Sequence, residues 1–404
     1  MKPANRDTIR AINQFNVLNT IRRVGLISRV EIAELTGQSR ASVTNITAKL
    51  IKEKLIYEKE TRDTTMRGRR RVMLALNPEA AYVVGVKLSA FRMSCAVTDM
   101  QAEVRSSVVI PVRTNKRPAS FVANMIEEGI RHCVKDARLD LSHISGIGIG
   151  VPGFVDQVKG TCHWSPLYEK GDVPLRDLVE KRLKIPTYME NDANTVTLSH
   201  QWFGDGKSVS NFLVVTIEDG VGMGIVVSGQ MYRGATGIGA EFGHVVIDPE
   251  GEPCRCGKKG CLEAYVSDFS VVAAARKAVE KGLWIPATSS DLRVADVIKA
   301  ANAGVPALVE IFDKAGRMLG TGISGIIQIF NPERIIISGQ GVKAGDLMFE
   351  PMREVIAEYT NPQQFAASEI IIHKWQDIDW ARGAASLVLQ ELYKSPHEKI
   401  RTMI

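Results

Sequence analysis

Three of the six cysteines fall within eight residues, and this cluster constrains the fold more than any other feature of the sequence. The segment runs Cys254-Arg-Cys256-Gly-Lys-Lys-Gly-Cys261, and His244 precedes it. One imidazole and three thiolates complete a tetrahedral zinc set and leave no open position for water or substrate. The sequence therefore predicts a structural zinc ion held by His244, Cys254, Cys256 and Cys261. Reduced cysteines without a metal are the alternative.

The remaining features of composition point to an ordinary globular chain. Cys95, Cys133 and Cys162 are scattered, which is typical of isolated thiols and not of a disulfide framework. No apolar run approaches the roughly 18 residues that a membrane span requires. The first ten residues are polar and do not resemble a signal peptide. We therefore expect a cytoplasmic protein without membrane insertion.

The charge of the chain is concentrated at one end. Residues 1–76 contain 16 Lys and Arg against 7 Asp and Glu, a net charge of +9, whereas the whole chain carries +6; residues 77–404 therefore sum to −3. A basic module on a mildly acidic body suggests that a polyanion binds at the N-terminal end. A solvated basic tail is the alternative.

The basic module carries the signals of three helices. A helix is predicted over about 13–24, and Gly25 ends it. Ser28-Arg-Val-Glu31 is a capping box that opens a second, short helix, and Ser39 caps a third helix that runs to about Glu53. Helix, glycine-containing turn and helix form the helix-turn-helix pattern. The residues predicted to face the core are Val17, Leu18, Ile21, Ile32, Ala33, Leu35, Val43, Ile46, Leu50 and Ile51.

The outward face of the third helix and the segment after it suit a nucleic acid. Short polar and basic side chains of the helix match base edges and phosphates in a major groove. An alternating stretch, an arginine-rich tip and a strand-like segment over 72–76 predict a β-hairpin wing. We therefore predict a winged helix-turn-helix domain that binds operator DNA; a three-helix protein-interaction module is the alternative. The candidate DNA contacts are Arg40, Ser42, Thr44, Asn45, Lys49, Arg67, Arg69, Arg70 and Arg71.

From residue 81 onward, strands and helices alternate, which predicts an α/β body of two lobes. A helix over 118–137 is expected to turn Phe121, Met125, Ile126 and Ile130 inward. The other predicted helices cover 175–183, 307–327 and 381–393. The predicted strands cover 82–87, 93–98, 144–151, 187–189, 211–217, 222–227, 334–338 and 369–373.

Four segments of the body, in this order and spacing, resemble the ROK family of repressors, open reading frames and sugar kinases. They are Glu190-Asn-Asp-Ala-Asn194, Gly220-Val-Gly-Met-Gly224, Glu241-Phe-Gly-His244 and the run from Cys254 to Glu263. The resemblance extends over nearly the whole chain and includes the basic module. In the family, that module is carried by the branch of regulators that resemble the glucose, xylose and N-acetylglucosamine repressors. It implies an actin-like, hexokinase-like body. We expect a DNA-binding domain over 1–80, one lobe over 81–192 plus 380–404, and a second lobe with the zinc site over 193–379.

The resemblance also implies a set of sugar-binding residues. Carboxylates and amides would hold the sugar hydroxyls, and a zinc-bound histidine would offer its other ring nitrogen. In the kinases, the residue that matches Asp192 is the general base. The implied sugar contacts are Gly153, Asn191, Asp192, Glu241, His244 and Glu263.

The chain departs from the kinases at the loops that hold ATP. Family kinases carry an Asp-x-Gly-Gly-Thr turn at the start of the body. Here Lys87 replaces the acid, Ser89 and Ala90 replace the glycines, and Phe91 replaces the hydroxyl. Because a lysine cannot ligate magnesium and side chains obstruct the approach of phosphate, we expect no kinase activity. The carboxylates of Glu218 and Asp219 at the second phosphate turn would also repel a triphosphate.

Three hypotheses follow. The first is a repressor of carbohydrate-utilisation genes that acts as a homodimer or a dimer of dimers and responds to a sugar effector. The second is a sugar kinase with an atypical ATP site. The third is a regulator controlled by sequestration onto a partner protein. We also expect Lys87 to form an ion pair with Asp192, Glu218 or Asp219, because a partly buried ammonium group requires a partner. Projection of Lys87 into solvent is the alternative.

Overall fold

The computed structural model describes residues 6–61, 71–89, 91–112, 117–286, 292–376 and 378–393. The chain forms two compact units. The first consists of residues 1–153, 157–190 and 380–404, and the second of residues 154–156 and 191–379. The division into three domains stays a prediction. Among the described residues, no helix combines the length and the apolar character that a bilayer crossing requires.

Helices and strands alternate along the described residues, as the sequence predicts for an α/β chain. The helices are α1 (Arg6–Val24), α2 (Arg29–Thr36), α3 (Arg40–Lys52), α4 (Ala119–Asp136), α5 (Leu175–Leu183), α6 (Asp192–Phe203), α7 (Glu263–Val266), α8 (Asp268–Glu280), α9 (Val294–Asn302), α10 (Pro306–Phe330), α11 (Asp346–Tyr359), α12 (Pro362–Ala367) and α13 (Ile378–Leu392). The strands are β1 (Ile27–Ser28), β2 (Ile56–Thr61), β3 (Arg71–Leu76), β4 (Tyr82–Leu88), β5 (Arg92–Thr98), β6 (Val104–Pro111), β7 (Ile144–Val151), β8 (Phe154–Asp156), β9 (Thr161–Trp164), β10 (Thr187–Asn191), β11 (Phe212–Ile217), β12 (Val221–Val227), β13 (Gln230–Tyr232), β14 (Arg334–Ser338) and β15 (Glu369–Ile372).

The N-terminal segment packs three helices with an antiparallel sheet of order β1-β3-β2. The predicted capping box is confirmed at the start of α2. The Ser28 N–H donates to Glu31 Oε2 at 2.9 Å, and the Glu31 N–H donates to Ser28 Oγ at 3.3 Å. Ser39 caps α3 by accepting from the Ser42 N–H at 3.2 Å. The side chains of Ile21, Ile32, Val43 and Leu50 are fully buried and form the core of this segment.

Two predictions for this segment are wrong. The first helix begins at Arg6 and not at residue 13, because the polar stretch before the apolar stripe continues the same helix. Leu35 does not face the core and is 65% exposed. At 100° per residue Leu35 lies about 60° from Ile32 but about 160° from Ala33, so a buried face centred between Ile32 and Ala33 leaves Leu35 outside it.

Each unit contains a five-stranded mixed sheet, and the two sheets share one pattern. In the first unit the order is β10-β7-β4-β5-β6, and in the second it is β15-β14-β11-β12-β13. In both, the first strand in sequence is central and begins an antiparallel meander, while a later strand pairs with it in parallel on its other side. The predicted meander of the first two strands is confirmed.

Helix α4 covers one face of the first sheet, but not all of its predicted inner residues are buried. Ile126 and Ile130 are fully buried, as predicted. The prediction that Phe121 faces inward is wrong. Phe121 is 43% exposed in the first turn of the helix, and the Arg117 guanidinium lies 5.4 Å from its ring centre. At 100° per residue Phe121 lies about 140° from Ile126 and about 180° from Ile130, so it is on the opposite side of the helix from the buried face, whereas its neighbours Val122 and Ala123 are fully buried.

Helix α13 approaches the first sheet at two glycines. A Cβ atom on Gly85 of β4 would lie 1.8 Å from the Ala381 carbonyl oxygen, and one on Gly148 of β7 would lie 1.9 Å from that of Ala384. Ala381, Ala384 and Ala385 are fully buried at this contact. Backbone-to-backbone packing of this kind leaves no space for a methyl group.

We therefore expect Gly148→Ala to lower the free energy of unfolding by about 3 kcal/mol, because the new methyl group must force β7 away from α13. Urea unfolding measures this loss. Gly325→Ala in α10 is the matched control: no atom lies within 4 Å of its added methyl group, so the change should be neutral or stabilise the helix by up to about 1 kcal/mol. Equal stabilities for the two variants would contradict the packing described.

Candidate functional site

The second unit brings the predicted metal ligands together. One ligand atom from each of His244, Cys254, Cys256 and Cys261 lies within 4.8 Å of the others. Cys254 Sγ is 3.7 Å from His244 Nδ1, and Cys256 Sγ is 3.7 Å from Cys261 Sγ. Ligands at about 2.1–2.3 Å from a tetrahedral zinc ion are separated by about 3.4–3.8 Å, so these separations fit the ion. The group can therefore hold a metal through Nδ1 of the histidine.

The backbone around the cysteines closes tightly. The Cys254 N–H donates to the Lys258 carbonyl at 2.8 Å, and Cys261 forms an antiparallel bridge with Val246. Gly260 has φ 70°, and a Cβ atom there would lie 1.5 Å from the Asp248 carbonyl oxygen. Only glycine can therefore occupy this position without opening the loop. The Tyr265 hydroxyl supports the loop from beneath by donating to Asp248 Oδ2 at 2.9 Å.

Three of the predicted sugar contacts are carboxylates, and their charges interact. Partial desolvation raises the pKa of Glu241 to about 7, and the negative charges of Asp192 and Glu263 add to that rise. Glu263 is buried, and its Oε2 accepts from the Val221 N–H at 3.1 Å. Its Oε1 lies 3.9 Å from Cys254 Sγ, so this carboxylate adjoins the metal ligands. The arrangement offers several acceptors for hydroxyl groups beside His244.

Asn191 and Asp192 stand where β10 passes into α6. Asn191 is the N-cap, and its side chain accepts from the Asn194 N–H at 3.3 Å. Asp192 Oδ1 accepts from the Ala193 N–H at 3.0 Å. The N-cap of α6 is therefore Asn191, and Asp192 is the first residue of the helix.

Gly153 belongs to the first unit, as does the turn that departs from the kinases. Gly153 has φ 112°, and a Cβ atom there would lie 2.2 Å from the Trp164 carbonyl oxygen. Lys87 is buried, with Nζ 3.5 Å from the ring centre of Trp380. Ser89 Oγ donates to the Arg92 carbonyl at 2.8 Å, and Phe91 is 69% exposed. Ala90 lies outside the described residues, and the proposed ion pair of Lys87 stays a prediction.

The turn before Gly220 is strongly acidic. Asp219 pairs with Arg255 of the cysteine loop at 2.8 Å, and Glu218 Oε1 accepts from the Gln340 N–H at 2.8 Å. Burial raises the pKa of Asp268 to about 7, and the charges of Glu218 and Asp219 add to the rise. Arg255 is not among the residues predicted from the sequence; its guanidinium also lies 4.4 Å from the Phe269 ring centre, and it connects the cysteine loop to this turn.

The candidate DNA contacts of α3 differ in their availability. Arg40, Thr44 and Asn45 are exposed, whereas Ser42 is half-buried and its hydroxyl donates to Gln38 at 3.3 Å. Lys49 is exposed but donates to Gln14 at 2.8 Å. The wing candidates Arg67, Arg69 and Arg70 lie outside the described residues; the backbone of Arg71 begins β3, but its side chain is not described.

Known proteins match the chain at two levels of coverage. The family model of the ROK family matches residues 83–391. The xylose repressor of Caldicellulosiruptor bescii is 30% identical over 400 residues, which cover 97% of this chain and 99% of that protein. A crystal structure of a ROK family transcriptional regulator, a homologue of the E. coli MLC protein, matches with a TM-score of 0.82 at 27% identity and covers 98% of this chain and 100% of its own. A ROK family glucokinase from Streptomyces griseus, in complex with glucose and AMPPNP, has a TM-score of 0.67 at 25% identity; the match covers 76% of this chain and 99% of the glucokinase.

Proposed function

The chain belongs to the ROK family, and on this premise we propose that it is a sugar-responsive transcriptional repressor of carbohydrate-utilisation genes. The observation that carries the proposal is how much of this chain aligns with regulators and how much aligns with a kinase. The repressor and the regulator align with 97% and 98% of this chain, whereas the glucokinase aligns with 76%. The family model itself begins at residue 83. The basic N-terminal segment is thus a feature that this chain shares with regulators.

In this proposal, residues 1–80 form a winged helix-turn-helix domain. The capped α2, the capped α3 and the sheet β1-β3-β2 supply the elements of that domain. Arg40, Thr44 and Asn45 would contact the major groove and the arginines before β3 would contact the phosphate backbone. Two copies of the chain would be needed to bind two half-sites of a palindromic operator, so the protein would act as a homodimer or a dimer of dimers.

The sugar effector would bind to the carboxylates beside the metal ligands. Asn191, Asp192, Glu241 and Glu263 would accept hydrogen bonds from its hydroxyl groups. Because Nδ1 of His244 faces Cys254, its Nε2 would be free of the metal and would donate to the sugar. A zinc ion would hold the histidine ring and the cysteine loop in place and would take no part in chemistry. The contribution of Gly153 stays the prediction made from the family resemblance.

Selection from fragmented genomic DNA tests the function. The full-length protein should retain specific fragments, and one of a panel containing xylose, glucose and N-acetylglucosamine should change its affinity for them. The sugars are added to purified protein without any partner protein. A change in DNA affinity under these conditions would favour a sugar response over control by sequestration. Failure to retain any fragment specifically would contradict the proposal.

We expect Asp192→Asn to weaken sugar binding about 10- to 100-fold, because a hydrogen bond to a charged acceptor contributes about 1.5–3 kcal/mol. Calorimetry with the sugar that changes DNA affinity measures the loss. Asp177→Asn, which alters an exposed carboxylate paired with Arg176 in α5, is the control and should bind the sugar normally. Unchanged affinity in the Asp192 variant would remove this residue from the site.

A sugar kinase is the second candidate function, and the glucokinase neighbour is the observation that favours it. The geometry supports a chain without kinase activity. Lys87 is buried against Trp380, and Glu218, Asp219 and Asp268 form an acidic group at the second turn. A coupled assay for ADP release with the same sugars should give no turnover above the rate without sugar. Sugar-dependent ADP release would establish the kinase.

A further inference from the structure

A second group of metal-ligating side chains lies in the second unit, apart from the cysteine loop in sequence. His200 belongs to the last turn of α6, Asp205 follows that helix, and His373 directly follows β15. One ligand atom from each of these three side chains lies within 4.8 Å of the other two. The folding of α6 and β15 therefore places two imidazoles and a carboxylate at one point.

The three side chains converge on one carboxylate oxygen. Asp205 Oδ2 lies 3.0 Å from His373 Nδ1 and 3.5 Å from His200 Nδ1, so both imidazoles direct the same nitrogen toward one carboxylate oxygen. Ligands at about 2.0–2.2 Å from a tetrahedral ion are separated by about 3.3–3.6 Å, so the 3.5 Å separation fits an ion as it stands. The 3.0 Å separation is a hydrogen bond, and an ion would take its place as the two atoms move apart by a few tenths of an ångström. The two imidazole rings are perpendicular, with centres 4.6 Å apart, which keeps them from stacking and lets both nitrogens approach one point.

The surroundings hold these side chains in place. The His200 ring packs against the backbone of Gly204, where a Cβ atom would lie 2.9 Å from Nδ1. An Arg334 N–H donates to the Asp205 carbonyl. On the other side of the His373 ring, Asp379 Oδ2 lies 3.8 Å from Nε2. A carboxylate facing the second nitrogen of a metal-ligating histidine is a frequent outer partner, because it orients the ring and raises its basicity.

The group is also accessible to an ion. His200 is buried, with 4% of its surface exposed, whereas the side chains of Asp205 and His373 retain 36% and 27% exposure. An ion can therefore reach the buried histidine from the side of the two partly exposed ligands.

We propose that His200, Asp205 and His373 bind a divalent first-row transition ion. Two imidazoles and one carboxylate suit zinc, nickel or cobalt, whereas magnesium and calcium prefer oxygen ligands alone. Three protein ligands leave at least one position for water, unlike the cysteine site, where four protein ligands complete the set. The bound ion ties the segment after β15 to the end of α6.

Metal titration of the full-length protein tests this proposal. The protein is first loaded with one zinc ion per chain, which fills the cysteine site, and is then titrated with Ni²⁺ by calorimetry. We expect one further equivalent in the wild type, and excess Mg²⁺ should not displace it. His373→Gln and Asp205→Asn should each lower the affinity for the second equivalent of Ni²⁺ by more than about 100-fold. Removing a ligand should cost more metal affinity than the roughly 10- to 100-fold that follows the loss of an outer partner. His163→Gln is the matched control, because His163 also faces a carboxylate, Asp172 at 2.5 Å, but no second histidine is part of that pair.

The intact protein provides an independent measurement if a variant fails to fold. Co²⁺ added to the zinc-loaded wild type should give weak visible bands without the intense near-ultraviolet absorption of cobalt bound to thiolate. Thiolate absorption would place the ion in the cysteine loop and overturn the proposal. A wild type that binds no second equivalent, or variants that bind it as tightly as the wild type, would likewise overturn it and leave the group as histidines paired with aspartates.

Discussion

Cys256→Ser is expected to lower metal affinity by more than about 100-fold and to weaken sugar binding with it. Cys256 is one of four side chains whose ligand atoms converge, and its Sγ lies 3.7 Å from that of Cys261. Without the thiolate, the ion loses one of its four ligands. This is a larger change than the loss of a group that only hydrogen-bonds to a ligand, which lowers metal affinity about 10- to 100-fold. His244 then loses its fixed orientation. Glu263, whose Oε1 lies beside Cys254 Sγ, is no longer next to a cysteine that the metal holds in place.

Metal content by mass spectrometry and sugar affinity by calorimetry measure the two effects. Cys133→Ser is the matched control, because Cys133 is a buried thiol of α4 in the first unit and lies beside Ser106. It should leave both quantities unchanged. A Cys256 variant that loses its metal yet binds sugar normally would separate the metal from the sugar site and contradict the proposed role of His244.

Replacing Arg69, Arg70 and Arg71 with alanine should flatten the salt dependence of DNA binding. Each phosphate neutralised by a cation contributes about 0.9 to the slope of log affinity against log salt. If all three arginines contact phosphates, the slope should fall in magnitude by about 2 to 3, and affinity at low salt should fall alike for operator and for unrelated DNA. Fluorescence anisotropy over a range of salt concentrations measures the slope.

The control removes the same charge from another part of the chain. Arg276, Lys281 and Lys299 are exposed in or next to α8 and α9 of the second unit, and their replacement by alanine should leave the slope unchanged. Flattening of similar size in both variants would assign the effect to net charge. An unchanged slope in the arginine variant would show that these three arginines do not contact the phosphates.

Local signals in the sequence predicted the N-terminal segment and the cysteine loop well. A capping box and a cysteine cluster each work within a few residues, so their geometry follows from neighbours in the chain: Ser28 and Glu31 bond reciprocally, and Cys256 lies beside Cys261. Burial depends instead on which face of a helix meets the rest of the fold. Phe121 and Leu35 have suitable apolar side chains but are exposed, because each lies outside the buried face of its helix.

The groups that were not predicted from the sequence are assembled from distant parts of the chain. Asp205 and His373 are 168 positions apart, and Arg255 pairs with Asp219 36 positions before it. No spacing rule connects such residues, because only the order of the strands decides that the end of β15 reaches the end of α6. A single sequence therefore predicts sites within one loop and cannot predict those formed where separate elements meet.

The position of α13 has a consequence for the order of events during synthesis. The strands β4 and β7 emerge from the ribosome long before Ala381 and Ala384, the residues that pack against Gly85 and Gly148. Tyr393, whose hydroxyl donates to the Met100 carbonyl at 2.9 Å, is made later still. The second unit, which consists of residues 154–156 and 191–379, has all of its residues by position 379. Nascent chains that end before α13 should therefore present the apolar face of an uncovered sheet, and chaperones that bind such surfaces should hold them until the first unit closes.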